Sequence, residues 1–262
     1  MLKVSLGQFA VSRVWEENAQ VCEDLMRRAR EAGAGLLILP EGILARDITD
    51  PQIVLKAAQP LDGPFVSRLL AASRGSRLAT LFCVHVPTGD GRVWNTLVTL
   101  RDGEIISEYR KLHLYDAFNM KESTNVTPGD RIPPLLEIDG LKIGLMTCYD
   151  VRFPEMARRL ALDGADLLAL PAAWVRGSLK ENHWEVLVTA RALENTCYVA
   201  ATGECGERNI AQHGGGSAGR GDGQRGRGPA LVVAEIDPER LAHARKVLPV
   251  LANRRFAAPE LA

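Results

Sequence analysis

Three polar side chains of the sequence have the chemistry needed for acyl transfer: the Cys148 thiol, the Glu41 carboxylate and the Lys111 ammonium. Glu41 and Cys148 each end an apolar run that predicts a buried strand, and Lys111 follows a strand that starts at the Asp102-Gly103 turn. Polar groups at strand ends of an α/β protein converge on one crevice. We therefore expect the three side chains to share a pocket.

Each of these residue types has a distinct role in opening an acyl bond. Cys148 precedes a helix predicted to begin near Pro154, and a helix N-terminus favours thiolate, the nucleophilic form of cysteine. The Lys111 ammonium would add to this effect. The Glu41 carboxylate has the chemistry of a general base. Together the three groups form a complete acyl-transfer apparatus.

The same residues also have purely structural interpretations. An isolated buried cysteine usually packs as a small hydrophobic side chain. From pattern alone the nucleophilic and structural interpretations of Cys148 are equally open, and a charged residue after a strand, such as Glu41 or Lys111, is often only solvated. We assign the structural role to the remaining cysteines, which are Cys22, Cys83, Cys197 and Cys205.

Strand-like and helix-like runs alternate along the chain. The predicted helices cover residues 15–32, 64–74, 154–163, 181–195 and 238–248. The predicted strands cover residues 2–9, 35–42, 78–86, 93–100, 141–148, 166–174, 196–203 and 230–236. Because hairpins such as those at Asp102-Gly103 and Asp139-Gly140 are mixed with βαβ-like units, the pattern favours an α/β sandwich over a purely parallel sheet.

The bulk properties exclude several classes of protein. The chain has 262 residues, no formal net charge and no linker that would divide it, so we expect a single domain over 1–262. The neutral charge gives no reason to expect nucleic acid or a membrane surface as partner, and no apolar run is long enough for a membrane helix. Because the apolar start also lacks the cleavage pattern of a signal peptide, we expect a cytoplasmic protein. Five cysteines without paired spacing do not suggest a disulfide framework. The sequence contains no C-x-x-C or H-x-x-x-H motif, so we do not expect a structural zinc site.

Three motifs carry a resemblance to a known family. They are LPEG around Glu41, YRKLHLYDAF around Lys111 and GLMTCYDVRFPE around Cys148. In their order and approximate spacing, they make the chain resemble the nitrilase superfamily. The resemblance runs from residue 1 to about 210 and resumes from 229, and three separated motifs in the same order are highly specific.

The resemblance implies a fold and a mechanism. The fold would be a four-layer αββα sandwich that pairs through helices into a homodimer. Cys148 would attack an amide carbonyl, and Glu41 would take the thiol proton and later activate water. Lys111 would stabilise the oxyanion together with the backbone N–H of Tyr149. The acyl group would pass through a thioester, with no metal and no organic cofactor.

The resemblance also points to auxiliary and substrate-binding residues. Glu122 matches a position close to the triad in the family, although it could instead be an exposed loop carboxylate. Tyr149 and Arg152, next to the nucleophile, are candidates for substrate contact. Pocket-lining candidates are Tyr115, Asn119 and Trp174, of which Trp174 could equally be a core residue. Candidates for binding a substrate carboxylate, each with an alternative as a structural ion pair, are Arg152, Arg176 and Arg191.

The residue after the cysteine bears on the substrate. Family members that act on nitriles typically have Trp there, so Tyr149 favours an amidase. The strings KLHLYDAF, LPAAWVRG, GECGERNI and LPVLANRRF resemble bacterial members of the deaminated glutathione amidase group. That resemblance implies cleavage of N-(4-oxoglutarate)-L-cysteinylglycine to 2-oxoglutarate and L-cysteinylglycine, a metabolite-repair reaction. The alternatives are ω-amidase activity on 2-oxoglutaramate and, from another class, a catalytically silent binding module.

Residues 212–228 (QHGGGSAGRGDGQRGRG) depart from the family pattern. The segment is rich in Gly and Arg and cannot form a core element. Its GxGxxG spacing at 221–226 lacks a flanking strand and helix, which excludes a dinucleotide site, and its arginines lack the interleaved aromatics of a nucleic-acid site. Our hypothesis is a locally out-of-frame segment between two stretches of family-like sequence.

Overall fold

The computed structural model describes residues 1–47, 49–118, 120–206, 213–214 and 229–256. The helices are α1 Trp15–Glu31, α2 Ile53–Lys56, α3 Pro64–Ser73, α4 Pro154–Leu162, α5 Lys180–Asn195 and α6 Pro238–Val247. The strands are β1 Leu2–Gln8, β2 Leu36–Ile38, β3 Ala79–Pro87, β4 Val93–Arg101, β5 Glu104–Arg110, β6 Asp116–Ala117, β7 Met120–Lys121, β8 Leu136–Ile138, β9 Leu141–Leu145, β10 Leu167–Ala172, β11 Tyr198–Gly203, β12 His213–Gly214 and β13 Ala230–Ile236. The Gly/Arg-rich segment at 212–228 lies outside the described residues, apart from the backbone of β12.

The strands form two main sheets. The first has the order β13-β1-β2-β3-β4-β5, with β1, β2 and β3 parallel and the remaining neighbours antiparallel. The second has the order β12-β11-β10-β9-β8, with β9, β10 and β11 parallel. Strands β6 and β7 form a separate two-stranded sheet. Parallel pairs joined by helices occur beside hairpins, as the alternation of patterns in the sequence predicts.

Alternation of side chains in β2 defines the layers. Leu36 and Ile38 belong to a core shared with strands of the second sheet, whereas Leu37 lies in a separate core with α1 and α3. Helix α4 packs on the outer face of the second sheet, because a Cβ at Gly144 of β9 would lie 3.1 Å from Leu160 of α4. The order helix, sheet, sheet, helix is the αββα sandwich, and the predicted α/β class is confirmed.

Two predicted hairpin turns are present with the backbone that the turn requires. Asp102 and Gly103 have φ of 51° and 82°, and Asp139 and Gly140 have φ of 48° and 82°. Positive φ at both central residues matches the right-handed twist of the flanking strands. The first turn connects β4 to β5, and Lys111 is the residue that follows β5.

Two predicted strands end earlier than their apolar patterns indicate. The strand predicted over 35–42 is only Leu36–Ile38, and the strand predicted to end at Cys148 ends at Leu145. The second prediction was wrong because ladder pairing stops after the Met146 N–H, which donates to Ala169, and Cys148 begins a 3-10 turn. Among the described helices, none is long and apolar enough to cross a membrane.

Candidate active site

Cys148 lies at a tight elbow between β9 and α4. It is the first residue of the 3-10 turn Cys148–Arg152, and its φ of 44° is unusual for a residue with a side chain. The turn is held closed by Asp150, whose carboxylate accepts a 2.8 Å hydrogen bond from the Thr147 N–H. The elbow presents Cys148 at a cavity of about 630 Å³. A strained nucleophile at a strand-to-helix turn is a recurrent feature of active sites.

Glu41 is buried in the same cavity wall with its carboxylate ordered by three donors. Oε1 accepts hydrogen bonds from Asn95 Nδ2 at 2.8 Å and from Lys111 Nζ at 2.9 Å. Oε2 accepts a 3.0 Å hydrogen bond from the Ala173 N–H. A carboxylate oxygen has two lone pairs, so Oε2 keeps capacity to accept a proton.

Lys111 is almost completely buried between two carboxylates. Its Nζ lies 2.9 Å from Glu41 Oε1 and 2.9 Å from Glu122 Oε2. Its backbone N–H donates to the Asn95 carbonyl at 2.9 Å, which fixes the chain just after β5. An ammonium has three protons, and two are directed at these carboxylates. Glu122 Oε1, at 3.2 Å, is a third and longer contact of the same ammonium.

The neighbouring charges determine which groups of the site are ionised. Burial disfavours ionised Glu41, but the charges of Lys111 and Arg46 outweigh it and lower the pKa of Glu41 to about 2. Burial also disfavours charged Lys111, yet Glu122 and Glu41 together raise the pKa of Lys111 well above its ordinary value. Both groups are therefore ionised at neutral pH.

The resting cysteine is a neutral thiol. Burial, followed by the negative charge of Glu41, raises the pKa of Cys148 well above its ordinary value, although Lys111 and the Ala173 N–H oppose the shift. The sequence analysis instead predicted that Lys111 and a nearby helix N-terminus favour the thiolate. That prediction did not take into account that the thiol is buried next to a carboxylate. A thiol next to an ionised Glu41 is the starting state that general-base activation requires.

A buried network joins the segments that carry Lys111 and Cys148. The Asp150 carboxylate accepts hydrogen bonds from Tyr109 Oη at 2.7 Å and from the His113 N–H at 3.2 Å, in addition to the one from Thr147. Its Oδ1 also lies 2.7 Å from His113 Nδ1. Asp150 is fully buried, so these contacts are shielded from water. No pattern in the sequence indicates this role of Asp150.

The structure brings most of the predicted site residues to one cavity. Its wall includes Glu41, Lys111, Cys148, Glu122, Tyr115 and Trp174. Glu122 accepts hydrogen bonds from Lys111, from Asn95 and from the Tyr115 N–H, so it is not merely an exposed loop carboxylate. Trp174 is also a core residue, since the centre of its ring lies 5.1 Å from the centre of the Trp184 ring.

Other predicted contacts lie elsewhere. Tyr149 packs edge-on against Tyr115, Arg152 lies above the Tyr149 and Trp174 rings, and Arg176 is exposed; none of these three belongs to the cavity lining. Arg191 is buried, donates a hydrogen bond to the Val151 carbonyl and forms an ion pair with Glu194. These contacts favour the structural ion pair over carboxylate binding for Arg191. Asn119 lies outside the described residues.

Among the residues of the cavity wall that sequence reasoning missed are Asn95, His85 and Lys180. Asn95 interrupts the apolar run of β4, and His85 interrupts that of β3, which are signals that could have been used. Lys180 at the start of α5 carries no such signal, because a lysine in the first turn of a helix is ordinarily exposed. In the described part of the chain, no cluster of three His, Cys, Asp or Glu side chains is arranged to hold a metal.

Comparisons with known proteins agree with this geometry. The family model for carbon-nitrogen hydrolases matches residues 3–246. The chain is 52% identical over 264 residues to a deaminated glutathione amidase of Escherichia coli O157:H7, covering 98% of this chain and 99% of that protein. It is 35% identical to a protein of the same name from Synechocystis sp. (strain PCC 6803 / GT-S), covering 92% and 93% of the two chains.

A solved structure adds chemical information. A mutant of the amidase from Nesterenkonia sp. AN1 carries the acetamide moiety of fluoroacetamide, added covalently at its active-site cysteine. It is 28% identical to the present chain with a TM-score of 0.82, covering 97% of this chain and 94% of that one. The same type of sandwich therefore supports a reactive cysteine in that protein.

Proposed function

The chain belongs to the carbon-nitrogen hydrolase family, within the nitrilase superfamily, and on this premise we propose that it hydrolyses deaminated glutathione through a thioester on Cys148. The products are 2-oxoglutarate and L-cysteinylglycine. The observation that carries the proposal is the convergence of the Cys148 thiol, the Glu41 carboxylate and the Lys111 ammonium on one cavity. The identity of 52% to a deaminated glutathione amidase supports this substrate among the amides.

The first half of the reaction forms the thioester. The Cys148 sulfur attacks the amide carbonyl carbon while its proton passes to Glu41 Oε2, which has an unused lone pair. The carbonyl oxygen becomes an oxyanion, stabilised by the Lys111 ammonium and the Tyr149 N–H. When the carbon–nitrogen bond breaks, Glu41 returns the proton to the nitrogen of cysteinylglycine, which leaves as an amine.

The second half releases the acid. Glu41, ionised again, takes a proton from water as the water oxygen attacks the thioester carbonyl. The second oxyanion is stabilised by the same two donors, the Lys111 ammonium and the Tyr149 N–H. Its collapse breaks the carbon–sulfur bond, 2-oxoglutarate leaves, and the sulfur recovers a proton from Glu41. A carboxylate whose pKa is about 2 when paired with Lys111 is ionised at the start of both halves.

Glu122 has an auxiliary role in this mechanism. With Glu41 it brackets the Lys111 ammonium, and the two negative charges keep that ammonium protonated in a buried site. Glu122 thus positions Lys111 without contacting the thiol.

The closest competing substrate is 2-oxoglutaramate, which shares the acyl half but loses ammonia. The test is a comparison of kcat/KM for deaminated glutathione and 2-oxoglutaramate with the purified protein. We expect the higher value for deaminated glutathione. A much higher value for 2-oxoglutaramate would contradict the assignment and identify an ω-amidase instead. Lack of hydrolysis of any amide would favour a catalytically silent binding module.

A homodimer is the assembly that the resemblance favours, and exposed apolar residues of α5 support it. Val186 and Leu193 are 56% and 44% exposed and lie seven residues apart, on one face of the helix. Such an unpartnered apolar face is typical of an interface. Sedimentation of the wild type and of Leu193→Glu tests the assembly: we expect a dimer and a weakened dimer, respectively. A monomeric wild type would contradict it.

A further inference from the structure

Lys180 is a second buried lysine in the cavity, and the mechanism above does not use it. It is the first residue of α5, lines the cavity that contains Cys148, and is only 6% exposed. Its carbonyl accepts a 2.9 Å hydrogen bond from the Trp174 indole, which fixes the start of the helix against the cavity wall. Lys180 is therefore fixed by its backbone in the wall of the cavity that also contains Cys148.

The surroundings of the Lys180 ammonium are aromatic. Nζ lies 3.8 Å from the centre of the Phe118 ring, 4.8 Å from that of Tyr115 and 5.7 Å from that of Trp174, and it donates a hydrogen bond to Tyr115 Oη. Within the described residues, no carboxylate lies within ion-pair distance of this ammonium. Lys111, by contrast, has two carboxylate partners.

A second cation lies near the same aromatic side chains. The Arg152 guanidinium carbon is 5.0 Å from the centre of the Trp174 ring and 5.8 Å from that of Tyr149. Burial, and then the charge of Arg152, lower the pKa of Lys180. Aromatic faces offset part of the cost of burying an ammonium, but the charge of Arg152, although this residue does not line the cavity, adds to the cost of charging Lys180.

An anion is the ligand that such a region accommodates best. A substrate carboxylate would replace the missing counter-charge of Lys180 and would be bound in a partly dehydrated wall, where an ion pair is stronger than in water. A neutral amide would leave the ammonium without a counter-charge.

We propose that Lys180 is a specificity-determining residue that binds a carboxylate of the amide substrate. This inference rests on the proposed function, because deaminated glutathione has two carboxylates, one on the oxo-acid half and one on the glycine of the leaving half. Either would be recognised by the same chemistry, and the experiments below distinguish them.

The first experiment compares Lys180→Met with the wild type. For deaminated glutathione we expect KM to rise about 30-fold or more, as for the loss of one partner of a buried ion pair, with kcat within about threefold. Lys180→Arg should recover part of the loss. Lys142→Met, which removes an exposed lysine of β9, is the matched control and should behave as wild type.

Two modified substrates identify the carboxylate. One has the oxo-acid carboxylate converted to a methyl ester, and the other has the glycine carboxylate converted to a primary amide. The wild type and Lys180→Met should differ little in KM only for the substrate that lacks the recognised carboxylate. Equal losses of kcat/KM in Lys180→Met for all three substrates would show a structural role and overturn the inference.

The second experiment does not depend on turnover. Alkylation of Cys148 by iodoacetamide is followed by mass spectrometry in the presence of 2-oxoglutarate, for the acyl half, or alanylglycine, for the leaving half. At least one of them should protect the wild type, and Lys180→Met should need about 30-fold more of it. Equal protection of both proteins, or no protection of the wild type, overturns the inference. Protection without hydrolysis of deaminated glutathione would instead contradict the proposed function alone.

Discussion

Tyr109 donates a 2.7 Å hydrogen bond to Asp150, and this contact joins the end of β5 to the turn that begins at Cys148. Tyr109 is two residues before Lys111, and Asp150 is two residues after Cys148. Lys111 follows a strand of the first sheet and Cys148 follows a strand of the second. The distance between the two side chains therefore depends on a connection between the sheets. The buried hydroxyl–carboxylate bond supplies it.

Removal of this hydroxyl should impair catalysis and stability together. In Tyr109→Phe the Asp150 carboxylate loses a buried donor and the Leu112 N–H loses its acceptor. We expect a destabilisation of about 2 kcal/mol and, because the elbow is less constrained, a fall in kcat of about tenfold or more. Chemical denaturation and steady-state assays measure the two effects.

Tyr198→Phe is the matched control. The Tyr198 hydroxyl also donates one hydrogen bond, to the Asp237 carbonyl, at a site remote from the cavity. It should lose about 1 kcal/mol of stability while its kcat stays at the wild-type value. Equal kcat for the two variants would mean that the Tyr109 bond does not position the site.

Glu122→Gln should lower kcat with little change in KM. The substitution keeps the size of the side chain but removes one of the two charges that hold the Lys111 ammonium. A charged hydrogen bond contributes about 1.5–3 kcal/mol, so kcat should fall about 10- to 100-fold. Glu108→Gln, on the exposed face of β5, is the control. Wild-type kcat in Glu122→Gln would leave Glu122 without a catalytic role.

His85 should make the protein less stable as the solution becomes acidic. Burial and then the charge of Arg46 lower the pKa of His85 to about 4. Between that value and an unfolded pKa of about 6.5, the unfolded chain binds a proton that the folded chain excludes. Stability therefore rises with pH across this window and is lost as pH falls.

The test is the unfolding free energy of the wild type and of His85→Gln at pH 7 and pH 4.5. The wild type should lose more stability on acidification, with a difference of up to about 3 kcal/mol between the proteins. Identical pH dependence in the two proteins would show that His85 is protonated equally in the folded and unfolded states.

The sequence predicted the α/β sandwich because helical patterns with one apolar face, as in α1, alternate with short continuous apolar runs, as in β3. It also predicted the meeting of Glu41, Lys111 and Cys148, since each follows a strand. Asp150 and Lys180 could not be found in this way. Their roles depend on contacts across elements far apart in the chain, and a short 3-10 turn or the first turn of a helix gives no periodic signal.

The protonation of Cys148 was also beyond the sequence. A pattern of residues near a strand end indicates which charges are close, but the pKa depends on burial as well. In the folded chain the thiol is buried beside Glu41, so burial and like charge outweigh the attraction of Lys111. The nucleophile that we propose would therefore be activated by proton transfer and not by permanent ionisation.

The most direct test of a thioester on Cys148 is release of cysteinylglycine from deaminated glutathione by the wild type, Cys148→Ala and Cys22→Ala. Cys22 is a buried cysteine of α1 outside the cavity, so its variant should keep the wild-type kcat even if it is less stable. Cys148→Ala should be at least about 1,000-fold slower, and intact-mass analysis after rapid quenching should find the 2-oxoglutaryl group only on proteins that retain Cys148. A Cys148→Ala protein that releases cysteinylglycine at the wild-type rate would contradict the mechanism.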